Sequence, residues 1–189
     1  MDAVTEWPCH HVNLPHLYSI PLRSLCSRNV ANLFFAGRNI SATHVAFAST
    51  RVMATCAVMG QAIGTAAALA GPLGERSIAA HFSSVELAAL QQRLLRDDLF
   101  LPGLANNDPA DLARAARVSA SGETPRGAAA QITDGHTREL FTHLGPWADG
   151  ATHRWESTSL PAWLELTWSA PQSLREIHVT FDSGLEREL

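Results

Sequence analysis

Apolar and polar positions alternate in two different rhythms along this chain, and the change falls near residue 117. Val30 to Ala36 is a short apolar run with the β-branched and aromatic content of a buried strand, and Gly37 ends it. Residues 38–51 read as a polar loop. Met53 to Leu69 is built mostly of Ala, Gly, Thr and Met and predicts a long helix stopped by Gly71-Pro72. Ser83 and Glu86 make an S-x-x-E capping box ahead of Leu87, Leu90 and Leu94, predicting a second helix that ends near Asp97-Asp98. A turn-rich stretch follows, and Asp108-Pro109 reads as an N-cap with proline at the first helical position of a short turn reaching about Ala116. Beyond Arg117 the period becomes two. Val118-Ser-Ala-Ser, Trp163 to Trp168 and Ile177 to Phe181 alternate, separated by turn clusters. The predicted architecture is a partial α/β domain over 1–103, a linker over 104–116 and an incomplete antiparallel β-sandwich over 117–189.

Composition sharpens this. Charged residues make up 17% of the 189, below the roughly 25% usual for soluble domains, so much of the surface expects to be covered. The net charge of -4 and the absence of a basic block argue against a nucleic-acid partner. Cys9, Cys26 and Cys56 are too scattered for a disulfide framework or an iron–sulfur ligand set. Cys9, His10, His11 and His16 fit no zinc spacing, so no metal site is expected. The N-terminus lacks the apolar core of a signal peptide, and the sequence leaves localisation open. Val52 to Gly71 is nearly uncharged over about a bilayer span and holds Gly60-xxx-Gly64. Its Ala, Gly and Thr residues, with Gln61 near the middle, carry little transfer energy, so a packed helix is expected and not a membrane span.

The run Tyr18-Ser-Ile-Pro-Leu-Arg-Ser-Leu, then Asn32-Leu-Phe-Phe-Ala-Gly-Arg-Asn-Ile-Ser-Ala-Thr-His, Arg51-Val-Met-Ala-Thr and Met59-Gly-Gln-Ala-Ile-Gly-Thr-Ala-Ala-Ala-Leu resembles the C-terminal flavin-binding part of the FAD-dependent oxidoreductases. These are two-dinucleotide-fold flavoproteins, distantly similar to the fumarate reductase and aspartate oxidase group. The resemblance spans roughly residues 15–103 and implies FAD as cofactor and a small-molecule substrate. It places Ala36, Gly37, Arg38, Ser41, Thr43, Thr55, Gly60 and Gln61 near the cofactor, and Arg51 and His44 near the reacting atoms. An Ala-Gly turn admits close backbone approach, and the start of a long helix offers free N–H groups to negative charge. The residues alone leave other roles open. Arg38 and Arg51 also suit structural ion pairs, His44 a loop histidine, and Ser41, Thr43 and Thr55 plain caps. Cys56 reads as a small buried hydrophobe.

No GxGxxG, the usual phosphate clasp, occurs in the 189 residues. The expectation is therefore a C-terminal fragment of a longer flavoenzyme that binds FAD weakly or not at all by itself. Residues 117–189 resemble the opening of a discoidin or coagulation-factor type C-like sandwich, through Val118-Ser-Ala-Ser, Ile132-Thr-Asp-Gly, Trp155-Glu-Ser, Pro161-Ala-Trp-Leu-Glu-Leu and Ile177-His-Val-Thr-Phe-Asp. That resemblance implies a docking module with a glycan or a neighbouring domain as partner, and Trp155, Trp163 and Trp168 are expected as core aromatics. The competing functional readings are a carbohydrate- or surface-binding protein without catalysis, and an inactive truncated product.

Overall fold

The computed structural model describes residues 17–71, 82, 84–139 and 150–181. Its N-terminal half is helical. Helix α1 spans His44–Thr50, α2 spans Met53–Ala70 and α3 spans Ser84–Arg96. Thr43 caps α1, its Oγ1 accepting from the Ala46 N–H at 3.3 Å. Gly71, at φ +56°, ends α2 in a conformation that L side chains rarely adopt. In α3, Glu86 lies in the first turn and Arg93 and Arg96 in the last, each at the end that the helix dipole favours. The second and third helices match the sequence expectation. Ser83, the expected cap, lies outside the described residues.

One stripe of α2 is buried, formed by Met59, Ile63, Ala66 and Ala70. Its lower part packs on Leu90 and Leu94 of α3 and on Leu99 just beyond. Its upper part packs on Leu25, at the end of a 3-10 turn over Leu22–Leu25. Leu22 and Phe34 touch both groups and join them into one core. The rest of α2 is open, with Met53 86% exposed. By length and composition alone this helix is also long and apolar enough to span a membrane.

Val30–Ala36 departs from expectation. It forms no strand; the chain makes a tight loop instead, with a bridge between Cys26 and Phe34 and the Phe35 N–H donating to the Leu25 carbonyl at 2.8 Å. Val30 and Leu33 are 43% and 40% exposed. A strand needs neighbours for its N–H and C=O groups, and among the described residues this segment finds only its own preceding turn. The polar loop over 38–51 likewise contains α1.

In the C-terminal half, Asp111 and not Asp108 caps the 3-10 turn Leu112–Ala115, its Oδ1 accepting from the Ala113 N–H at 3.1 Å. Asp108 instead closes a local turn onto the Ala110 N–H. Strands β1 (Arg117–Ala120) and β2 (Leu164–Thr167) pair antiparallel, from Arg117 opposite Thr167 to Ala120 opposite Leu164. Helices and this two-stranded sheet are compatible with a partial α/β fold. The third alternating segment, 177–181, is exposed and in no strand. Trp155 and Trp168 are half-buried and donate their indole N–H groups to the Gly122 and Leu112 carbonyls at 2.9 and 2.8 Å. Trp163, expected in the core, is 55% exposed. Side chains alternate across a strand, and turning Leu164 and Leu166 inward turns Trp163 outward.

Between the strands the chain is held by polar contacts. Glu139 takes Arg126 at 2.8 Å and Arg154 at 3.0 Å, and Arg154 Nε also donates to Glu156 at 2.6 Å. The stretch after α3 is tied on both sides. Gln92 holds the Ala105 carbonyl and the Asn107 N–H, while the Asn106 N–H donates to the Gly135 carbonyl at 2.8 Å.

Two outcomes are expected. Gly135 has φ +95°, and a Cβ there would lie 2.7 Å from the Asn106 carbonyl oxygen. Gly135→Ala should cost about 2 kcal/mol, seen as a lower urea midpoint at constant slope; an unchanged midpoint would contradict the close approach. The hydrogen bond from Arg154, then that from Thr124, holds the Glu156 carboxyl below its ordinary 4.5. Its contribution is complete above that pH and fades as pH falls through the lowered value. Glu156→Gln should therefore flatten the acid limb of a stability–pH curve and leave the alkaline limb alone.

Candidate functional site

The turn Ala36-Gly37-Arg38 lies at the junction of α1 and α2. Gly37 has φ +89°, and a Cβ there would come 3.9 Å from the Cys56 side chain, so the turn rests on the first turn of α2. Arg38 Nε donates to the Arg51 carbonyl at 3.4 Å, tying the turn to the residue between the helices. The Ser41 N–H donates to the Ser24 carbonyl at 2.9 Å and anchors the following loop to the 3-10 turn. These are local consequences of sequence. Glycine permits the positive φ, and Thr43 starts a helix short enough to bring Arg51 back beside Arg38.

The N-terminus of α2 is bare. Its N-cap is Val52, which offers no side-chain bond, and its first turn holds no acidic residue. Its early N–H groups therefore remain available to an anion. Arg38 and Arg51 are exposed, and neither forms an ion pair among the described residues. The reason is in the sequence. No Asp or Glu occurs between Glu6 and Glu75, whereas Arg23, Arg28, Arg38 and Arg51 all fall there. In a chain with net charge -4, this region is locally positive. All its permanent cations are arginines, whose planar forks suit phosphates and carboxylates.

The expected site residues fall into two groups. Ala36, Gly37, Arg38 and Arg51 gather at the turn, and Thr55 lies in the first turn of α2, one residue before the Cys56 that Gly37 faces. Ser41, Thr43 and His44 lie on the loop and at the start of α1, where Thr43 is occupied as its cap and His44 is exposed. Gly60 and Gln61 are elsewhere. Gly60 is seven residues into α2, about 10 Å along the axis, and nothing lies within 4 Å of where its Cβ would be. Gln61 donates to the Asp97 carbonyl at 3.0 Å and joins α2 to the end of α3. The sequence reading gave no part to Cys56 as the floor under Gly37, although the proximity of a glycine turn to an apolar helix start was a usable signal. Tyr18, hydrogen-bonded to Ser49 of α1, was likewise unassigned. Cys9, His10, His11 and His16 lie outside the described residues.

Burial raises the Cys26 thiol above its ordinary value, so this cysteine is a packing residue in the same cradle. A shallow cleft of about 290 Å³ between α3 and residues 107–109 is separate from the turn. Its polar side chains Gln92, Arg93 and Arg96 are already engaged by Asn107, Asp97 and Glu176.

A glycine turn, two unneutralised guanidinium groups and a bare helix start fit an elongated anionic cofactor: the turn lets a flat group approach, and the charges oppose its negative centres. No curated protein and no solved structure matches the chain. Residues 3–94 do match the family model described as FAD dependent oxidoreductase, which supports an FAD-dependent oxidoreductase region in this part of the chain, with FAD as the cofactor.

Proposed function

We propose that residues 1–103 are the C-terminal part of the FAD-binding domain of an oxidoreductase, with the Ala36-Gly37-Arg38 turn and the start of α2 facing the flavin. The observation that carries this reading is the tie from Arg38 to the Arg51 carbonyl at the uncapped N-terminus of α2. FAD supplies hydride or electron transfer when bound. The chain supplies position and field. The N–H groups at the start of α2 would face the bound group and oppose negative charge there, as oriented amides do for an oxyanion. Gly37 leaves room for the ring or the chain attached to it. Arg38 reinforces the field and holds the turn.

Arg51 is assigned to a small anionic substrate and His44 to proton transfer. Both side chains are exposed, His44 at the start of α1 and Arg51 just beyond its end. Thr55 and Ser41 are assigned to hydrogen bonds with the cofactor, and Thr43 acts by capping α1. Gln61 serves the reading only indirectly, by tying α2 to the end of α3, and Gly60 faces open space. The clasp for the FAD pyrophosphate is not supplied by a GxGxxG in these residues, so the region contributes the flavin-facing wall.

The test is a titration with FAD followed by flavin fluorescence. Weak binding is expected, with a dissociation constant of ~10 to 1000 µM, and Gly37→Val should weaken it about tenfold or more, since a branched side chain at that φ displaces the turn from Cys56. A folded chain whose FAD affinity ignores Gly37→Val would contradict the placement. In FAD-loaded protein, Arg51→Ala should lower kcat/KM by about a hundredfold while flavin content per chain stays near wild type. Parallel loss of both would make Arg51 a structural residue.

A further inference from the structure

We infer that an electrostatic clamp at the end of α3 holds the two halves of the chain together, and that it opens as ionic strength rises while each half keeps its own fold. The apolar core stops short of the junction. Both buried clusters draw on residues between Ile20 and Leu101, and among the described residues Ala129 is the one buried apolar side chain beyond Leu99. Across the junction the described side-chain ties are polar. Arg96, in the last turn of α3, pairs with Glu176. Asp98, two residues on, accepts from Arg138 Nη2 at 2.9 Å. Between them in sequence, the Asn106 N–H donates to the Gly135 carbonyl at 2.8 Å. A junction without a shared apolar core leaves its two sides free to move relative to each other.

The two ion pairs run in opposite senses. The end of α3 offers a cation and then an anion, and the C-terminal half answers with Glu176 and Arg138. A slipped docking would set like charges together, so the order fixes the orientation. The neighbouring charges on α3, Arg93 and Asp97, satisfy each other within the helix, and His178 also reaches Glu176 at 3.3 Å.

Asp98 holds its place at a backbone cost. Its φ is +62°, at the point where the Asp98 and Leu99 N–H groups return to the Leu95 and Leu94 carbonyls at 3.1 and 2.9 Å. Glycine is the usual residue at a helix end of this shape, and the aspartate there supplies the carboxylate for Arg138. All four clamp side chains are close to half exposed, so salt reaches and screens both pairs. By contrast, the C-terminal half has internal ties of its own, the β1–β2 ladder and the nearly enclosed Glu139 with its two arginines. No flavin is needed for the clamp to work.

The experiment is amide hydrogen exchange on the full chain, read by NMR. The Asn106 amide reports the junction. The Phe35 amide, bonded to the Leu25 carbonyl in the N-terminal half, reports the unfolding of that half. Between about 0.05 and 0.5 M NaCl the Asn106 rate should rise about threefold or more while Phe35 holds steady. At the lower salt, Arg96→Glu and Asp98→Gly should each quicken Asn106 about two- to fivefold. Asp98→Gly, which relieves the backbone, should leave Phe35 at least as well protected as before. Adding Glu176→Arg to Arg96→Glu should restore the wild-type rate. An Asn106 rate indifferent to salt and to both single variants, a rise that Phe35 follows in step, or a double reversal no slower than Arg96→Glu alone would overturn the clamp.

Discussion

Everything near the candidate site depends on one contact line, the burial of Met59, Ile63, Ala66 and Ala70 along α2. That stripe fixes α2 against α3 on one side and against the Leu22–Leu25 turn on the other. Leu22 and Phe34 sit in both halves of the core, so the loop that ends at Gly37 cannot move without disturbing the packing of α2. Burying side chains of this size stabilises by roughly 1.5–3 kcal/mol each for the larger ones, and Met59 is fully enclosed. The position of the Gly37 turn over Cys56 is a consequence of this packing.

Electrostatics acts on top of it. A stretch without carboxylates leaves Arg38 and Arg51 unneutralised beside a helix start that carries positive partial charge. In the C-terminal half the same residue type is used differently: Arg126 and Arg154 are spent on Glu139 and Glu156 and hold loops together. Arginine next to acid is structural there, whereas Arg38 and Arg51 have no acidic partner among the described residues.

Helix existence was legible wherever an end signal was strong. Gly71 marked the end of α2, and the spacing of Leu87, Leu90 and Leu94 marked α3. Which face of α2 is buried was not legible, because its small apolar residues surround the axis and only size distinguishes Met59 and Ile63. Helix α1 was hidden by its length, about two turns announced by one cap at Thr43. Val30–Ala36 has strand propensity, but pairing partners decide strands, and the nearest partner was the preceding turn. Asp108 and Asp111 were equivalent as letters; local turn closure by Asp108 left the cap to Asp111. The outward position of Trp163 could be read from parity with Leu164 and Leu166, and the expectation of an aromatic core overrode that parity. At the site, the Ala-Gly-Arg turn was evident, whereas the meeting of Arg38 with Arg51 required the chain reversal that α1 provides.

The most direct measurement is photocrosslinking with an azido-substituted flavin followed by peptide mapping. A flavin held against the Gly37 turn and the start of α2 should label residues between Ala36 and Cys56, and excess unmodified FAD should suppress that label. Labelling confined to residues 117–181, or spread along the chain and indifferent to competing FAD, would contradict the account.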